Sequence, residues 1–200
     1  MRVSPSEVLS LYDEGVNAIA TSFRDWGDDR WNERACGDWS AKDLAGHLVC
    51  VIRWYHGWLD AAERGSSEPP FPAADLSAEN AKALVGLQDG TGPQRVERFV
   101  AEARRYATRL PDVWELPYGF PYGTVTAGLH AGVAACEWHL HAWDLSSENH
   151  RPSDSQALFE AVGSAMTAAQ RGIAGRIGRV IVPIASRRKP WDQLLRRSGR

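Results

Sequence analysis

Cys136-Glu137-Trp138-His139-Leu140-His141-Ala142-Trp143-Asp144-Leu145 sets a carboxylate and an imidazole one helical turn apart inside an otherwise apolar run. Counted from Glu137 at 3.6 residues per turn, His141 falls at roughly +40°, Asp144 at about −20° and His130 at about +20°. Four polar side chains therefore share one narrow helical face. Burying such groups unpaired costs several kcal/mol, so that face must meet water, a hydrogen-bonded network or a metal ion. Val133, Ala134, Leu140 and Leu145 flank it, and Trp138 and Trp143 are too large to be left wholly in solvent. A polar stripe between apolar flanks is expected inside a helix bundle.

Outward from this stretch, the polar helix is expected over about Thr124 to Ser147, preceded by Leu116-Pro117-Tyr118-Gly119-Phe120-Pro121-Tyr122-Gly123, which cannot be helical. That aromatic loop either covers a pocket, with Tyr118 and Tyr122 touching a ligand, or is a rigid turn on the bundle edge. Ser40-Ala41-Lys42-Asp43 reads as a capping box opening a second helix, whose buried face holds Leu44, Leu48, Val51, Ile52, Tyr55 and Leu59. His47 lies in that face. Trp54 and Trp58 sit within about 20° of it, and His56 about 180° away, facing solvent.

The first helix runs from Ser6 to about Phe23, and Asp25 to Asp38 forms a connection whose ends Trp31 and Trp39 pin to the core. Arg64 to about Glu79 is a Pro/Gly/Ser-rich loop, Glu79 to Leu87 a short helix, and a further helix follows Pro93 with Val96, Phe99, Val100, Ala103, Tyr106 and Ala107 inward. Pro152 and Ser153 open the last long helix, which Gly172 to Gly178 terminates. Val180-Ile181-Val182-Pro183-Ile184 is a short extended or coiled segment, and a basic tail closes the chain. With no repeat and no sheet-forming alternation, the fold class is all-α, a helix bundle in a single domain over residues 1–200.

A net charge of −2 argues against nucleic-acid binding, and no apolar run is long enough to span a bilayer. The N-terminus lacks the apolar core of a secretory signal, so a cytoplasmic location is expected. Three cysteines without CxxC spacing indicate neither a disulfide framework nor a zinc ribbon, and each is expected to be a small reduced apolar residue. Nine tryptophans suit either core packing or the walls of a ligand cavity.

His47, Glu137 and His141 form a candidate set of three ligands from two helices, the pattern of a catalytic divalent site with one open position. Two neutral imidazoles and one carboxylate leave a bound Zn²⁺ with a net charge of about +1, which favours an anionic fourth ligand such as a thiolate. The blander alternative is a set of hydrogen-bonded core residues. Asp144 either orients His141 from behind or caps the helix. His130 either contacts substrate or bonds near the helix start, and His139 points away as a structural residue. Trp54 and Trp58 are either core or substrate wall.

Trp39-Ser40-Ala41-Lys42-Asp43-Leu44-Ala45-Gly46-His47-Leu48 resembles the first signature of the mycothiol-dependent maleylpyruvate isomerase family, within the DinB-like superfamily. Glu137-Trp138-His139-Leu140-His141-Ala142-Trp143-Asp144-Leu145 resembles its second, and Asp192 to Arg200 is similar to the ending of its shorter members. The resemblance implies a DinB-like four-helix bundle in which His47, Glu137 and His141 hold a divalent metal, usually zinc. It also implies mycothiol, a low-molecular-weight thiol, as cosubstrate. The isomerase itself carries an additional C-terminal domain that this chain is too short to contain, so maleylpyruvate isomerisation is not the expected reaction.

The function expected on these grounds is a metal-dependent thiol S-transferase or isomerase, acting on a small electrophile. His130 and Asp144 are its candidate acid/base or supporting residues, and Trp54, Trp58, Tyr118 and Tyr122 its candidate substrate contacts. The alternatives are a metal hydrolase that activates water in the same pocket and a non-catalytic bundle that binds a metal or small ligand. The electrophile and the oligomeric state do not follow from the sequence, a homodimer being the assembly considered.

Overall fold

The computed structural model describes residues 3–24, 26, 30–87, 90–146, 150–173 and 189–198. Seven helices lie among them: α1 (Pro5–Arg24), α2 (Ala41–Glu63), α3 (Leu76–Gly86), α4 (Gly92–Val113), α5 (Ala127–Leu145), α6 (Ser155–Ile173) and α7 (Pro190–Arg197). Two antiparallel hairpins accompany them, β1 (Arg34–Cys36) with β2 (Trp39–Ser40), and β3 (Pro117–Phe120) with β4 (Gly123–Thr126). The protein is mainly α, and α1, α2, α4 and α5 form the helical bundle.

Capping chemistry fixes where the helices begin. Ser40 accepts from the Asp43 amide while the Asp43 carboxylate accepts from the Ser40 amide, the capping box expected at the start of α2. Thr91 and Gln94 repeat the device on α4, and Thr126 caps α5 by accepting from the Leu129 amide.

Within the bundle α1 packs on α5 and α4, and α4 packs on α2, whereas α2 and α5 make the loosest of the side-by-side contacts. The tight α1–α5 approach depends on Gly15, where a Cβ would come within 2.8 Å of the Trp138 Cβ. The α2–α5 seam is instead bridged by β1 and by the β3–β4 hairpin, both of which touch the two helices. Large side chains span it. The Tyr55 ring of α2 meets His130 of α5 edge-on at 4.5 Å and Trp138 at 5.7 Å. An open seam lined by long side chains is where a bundle keeps a site.

Several expectations require correction. His56 does not face solvent but is buried, its Nε2 at 3.0 Å from the Glu102 carbonyl and its Nδ1 accepting from Arg109 Nη1 at 3.1 Å. The reason is that α2 has two buried sides, one toward the seam and one beneath α4. The absence of sheet is also wrong on a small scale. Residues 117–126 form a hairpin around Pro121 and Tyr122, with Phe120 paired to Gly123, and strands of four residues are too short to show alternation. The basic tail is helical in α7, which buries Trp191 and Leu194. The segment Val180 to Ile184 lies outside the described residues. Trp31 is buried, stacked on Phe23 at 5.2 Å, and Trp39 packs 4.6 Å from His47, as their role in pinning the connection requires.

Candidate metal centre

The α2–α5 seam brings His47, Glu137 and His141 together. Glu137 Oε1 lies 3.5 Å from His47 Nε2 and 4.0 Å from His141 Nε2, and one ligand atom from each of the three residues falls within 4.8 Å of the others. Two ligands held ~2.0–2.1 Å from a tetrahedral zinc ion stand about 3.3 Å apart, so small side-chain rotations bring this set onto a common centre. Both imidazoles are buried, and the Glu137 side chain is 27 % exposed, which leaves the solvent side of the cluster free for a further ligand.

Each donor is held from behind. Asp144 Oδ2 stands 3.1 Å from His141 Nδ1 and accepts its proton, which turns the Nε2 lone pair toward Glu137. The Tyr55 hydroxyl donates to Glu137 Oε2, leaving Oε1 toward the imidazoles. The Trp39 ring, tilted across the His47 ring, restricts that imidazole sterically.

Electrostatics keep Glu137 and His141 in the forms a metal needs. Burial opposes the Glu137 charge, but the hydrogen bond to His47, the charges of His47 and His141 and the Tyr55 hydroxyl outweigh it and lower the carboxyl pKa from 4.5 to about 2. Burial, opposed by the Asp144 hydrogen bond, holds His141 below the ordinary 6.5, so its imidazole is neutral at neutral pH. An anionic oxygen and two imidazole nitrogens, already desolvated and oriented, fit a borderline divalent cation such as zinc.

Beside the donors lies a cavity of ≈ 80 Å³ that His47, Glu137, Trp54, Trp58, Phe120 and Tyr122 help to line. Trp54 and Trp58 stack at 6.1 Å along its wall, and Tyr122, 42 % exposed, stands at the mouth. Tyr118 is fully buried and is not one of the lining residues. Its ring packs 4.3 Å from His130 and its hydroxyl donates to the Tyr55 carbonyl, so it supports the wall from behind.

His130 reaches the cavity at its inner end, with Nδ1 3.3 Å from the Tyr106 hydroxyl. Burial lowers its pKa to about 3, so at neutral pH it carries no second proton to give as an acid. His139 is structural, as expected, with Nε2 on the Leu11 carbonyl and Nδ1 on His150.

Three residues at the site escaped the sequence reading. Tyr55 was placed in the core without its bond to Glu137, although a buried tyrosine hydroxyl needs a partner. Cys36, expected as a small apolar residue, has its sulfur within 4.8 Å of ligating atoms of His141 and Asp144. Asn80 of α3 lines the cavity, and nothing in its sequence context signals this.

Residues 12–146 match the mycothiol maleylpyruvate isomerase N-terminal domain family. No curated protein and no solved structure matches the chain. The matched span runs from within α1 to the C-cap of α5 and contains the capping box, the three converging donors, Asp144 and the hairpin over the seam. By a match that covers well over half of its length, the chain belongs to the mycothiol maleylpyruvate isomerase N-terminal domain family.

Proposed function

We propose that this protein is a metal-dependent thiol S-transferase or isomerase, in which His47, Glu137 and His141 hold a divalent ion, zinc in the first instance. The cosubstrate in this reading is mycothiol or a similar low-molecular-weight thiol. The observation that carries it is the convergence of the three donor atoms beside an aromatic-lined cavity, each donor oriented from behind. A divalent ion held there supplies Lewis acidity that favours the thiolate form of a coordinating thiol.

The remaining steps belong to the chain. With two imidazoles and one carboxylate holding it, the ion would have one of its two positive charges offset by Glu137, which would favour an anionic sulfur as a further partner. With Glu137 at a pKa of about 2 and His130 at about 3, neither is a competent base near neutral pH, and the thiol proton leaves to solvent through the mouth beside Tyr122. Trp54, Trp58 and Phe120 exclude water from the inner cavity and hold the electrophilic carbon near the sulfur. The sulfur lone pair forms the C–S bond there, and the displaced electron pair goes to a leaving group or into the electrophile's conjugated system. In this reading α6 and α7 belong to the same domain as the bundle.

Zinc-loaded protein is assayed against a panel of electrophilic acceptors with and without added low-molecular-weight thiol. Turnover is expected only when thiol is present, and the pH profile is expected to place the reacting thiol below its free pKa of about 8.5. Equal turnover without thiol would assign the site to activation of water, and binding of an electrophile with no turnover under either condition would assign it to ligand binding.

A further inference from the structure

Besides His130 and Tyr122, the cavity wall holds a polar residue that the donor cluster does not use. Asn80 projects from α3, a helix with no fully buried residue, and lines the cavity together with Leu76 one turn earlier. Its Oδ1 is shielded from solvent and has no hydrogen-bond partner among the described residues. A buried acceptor left unpaired costs about 1–3 kcal/mol, and α3 has only partly buried apolar residues such as Ala83 to offset this. An acceptor left without a protein partner in a cavity becomes useful when a ligand brings the donor.

The rest of the lining narrows what that ligand is. Trp54, Trp58, Tyr55, Phe120 and Tyr122 offer flat faces, Val51, Leu76 and Val133 offer apolar edges, and no lysine or arginine is present among the lining residues. At the Asn80 end of the cavity no cationic side chain is available to receive a carboxylate-bearing ligand. The cavity, open at the Tyr122 side, has a volume of ≈ 80 Å³ against the ~150 Å³ of an engineered cavity that holds benzene, so only a small flat group enters fully.

We propose that Asn80 is a specificity-determining residue: its Oδ1 accepts a hydrogen bond from an uncharged, flat, conjugated electrophile bearing an O–H or N–H donor, seated between α3 and the Trp54–Trp58 wall. The electrophile's role rests on the thiol-transfer reading above, but occupancy of the cavity is measured without thiol or turnover. The two claims therefore fail separately.

Pyrrole and thiophene are suitable probes, since the rings have nearly the same shape and only pyrrole has an N–H donor. Their Kd values are measured by titration of the tryptophan indole resonances in the intact protein and in the N80A and N80L variants. Both probes are expected to shift the Trp54 and Trp58 signals of the parent protein. In both variants the pyrrole-to-thiophene Kd ratio is expected to rise about three- to tenfold, as loss of one net hydrogen bond requires. A ratio unchanged within twofold in N80A would overturn the assignment, as would a change in N80L alone, because a leucine there fills space. Absence of any shift at Trp54 and Trp58 in the parent protein would overturn the seating of the ring.

Discussion

Alanine at His47, Glu137 or His141 is expected to abolish bound zinc and thiol-dependent turnover while leaving a folded helical bundle. Each change removes one of the three donors proposed to hold the ion. The expected loss of zinc affinity therefore exceeds the ~10–100-fold associated with removal of an outer hydrogen-bonding partner. Asp144→Asn is such an outer change. It leaves the His141 Nε2 position intact but weakens the hold on Nδ1, now 3.1 Å from Asp144 Oδ2, and a loss within that ~10–100-fold range is expected. Competition of each variant against a chelating zinc indicator reads the whole series. An order in which Asp144→Asn is as damaging as Glu137→Ala would contradict the division between donors and their supports.

The second large effect is acid lability, and it comes from histidines buried in neutral form. His130 has a folded pKa of about 3 against an ordinary 6.5, and His139 about 4, both lowered chiefly by burial. The unfolded chain therefore binds more protons than the folded chain below about pH 6.5. Stability from these groups is fully present above that pH and is lost as pH falls toward their folded pKa values. At 1.36 kcal/mol per unit of pKa shift, His130 alone is expected to remove about 2 kcal/mol between pH 7 and pH 5. Urea unfolding of metal-free protein at the two pH values measures the loss, and His130→Phe is expected to reduce it by about that amount. An equal loss in parent and variant would mean that His130 is protonated in the folded chain.

The parts of this arrangement that were legible in the sequence are those governed by helical period. Glu137, His141 and Asp144 share a face because residues one turn apart must, and the structure finds the Asp144–His141 contact that this spacing allows. Ser40 and Asp43 announced the start of α2 because a capping box is a local device.

What was not legible depends on neighbours distant in sequence. His56 was assigned to solvent on the assumption that α2 has one buried face, and only the placement of α4 shows the second. The β3–β4 hairpin has too few residues for a periodic signal, and its position over the seam is a tertiary fact. Tyr118 and Tyr122 are both candidate ligand contacts in the sequence, but Tyr122 lies in the exposed turn between β3 and β4 whereas Tyr118 lies within β3, buried against His130, and only the tertiary placement of the hairpin separates the two. Asn80 lies on a short helix of low amphipathic character, where a polar residue is expected on any face.

The claim on which the rest depends is that one divalent ion sits among His47, Glu137 and His141. X-ray absorption at the zinc edge, on protein equilibrated with one equivalent of zinc in the absence of thiol, tests it most directly. The account predicts a first shell of nitrogen and oxygen at ~2.0–2.1 Å with histidine scattering, and loss of that protein-bound shell in His47→Ala. A sulfur neighbour at ~2.3 Å would contradict it, because the metal would then have chosen Cys36 with His141 and Asp144 in place of the proposed set.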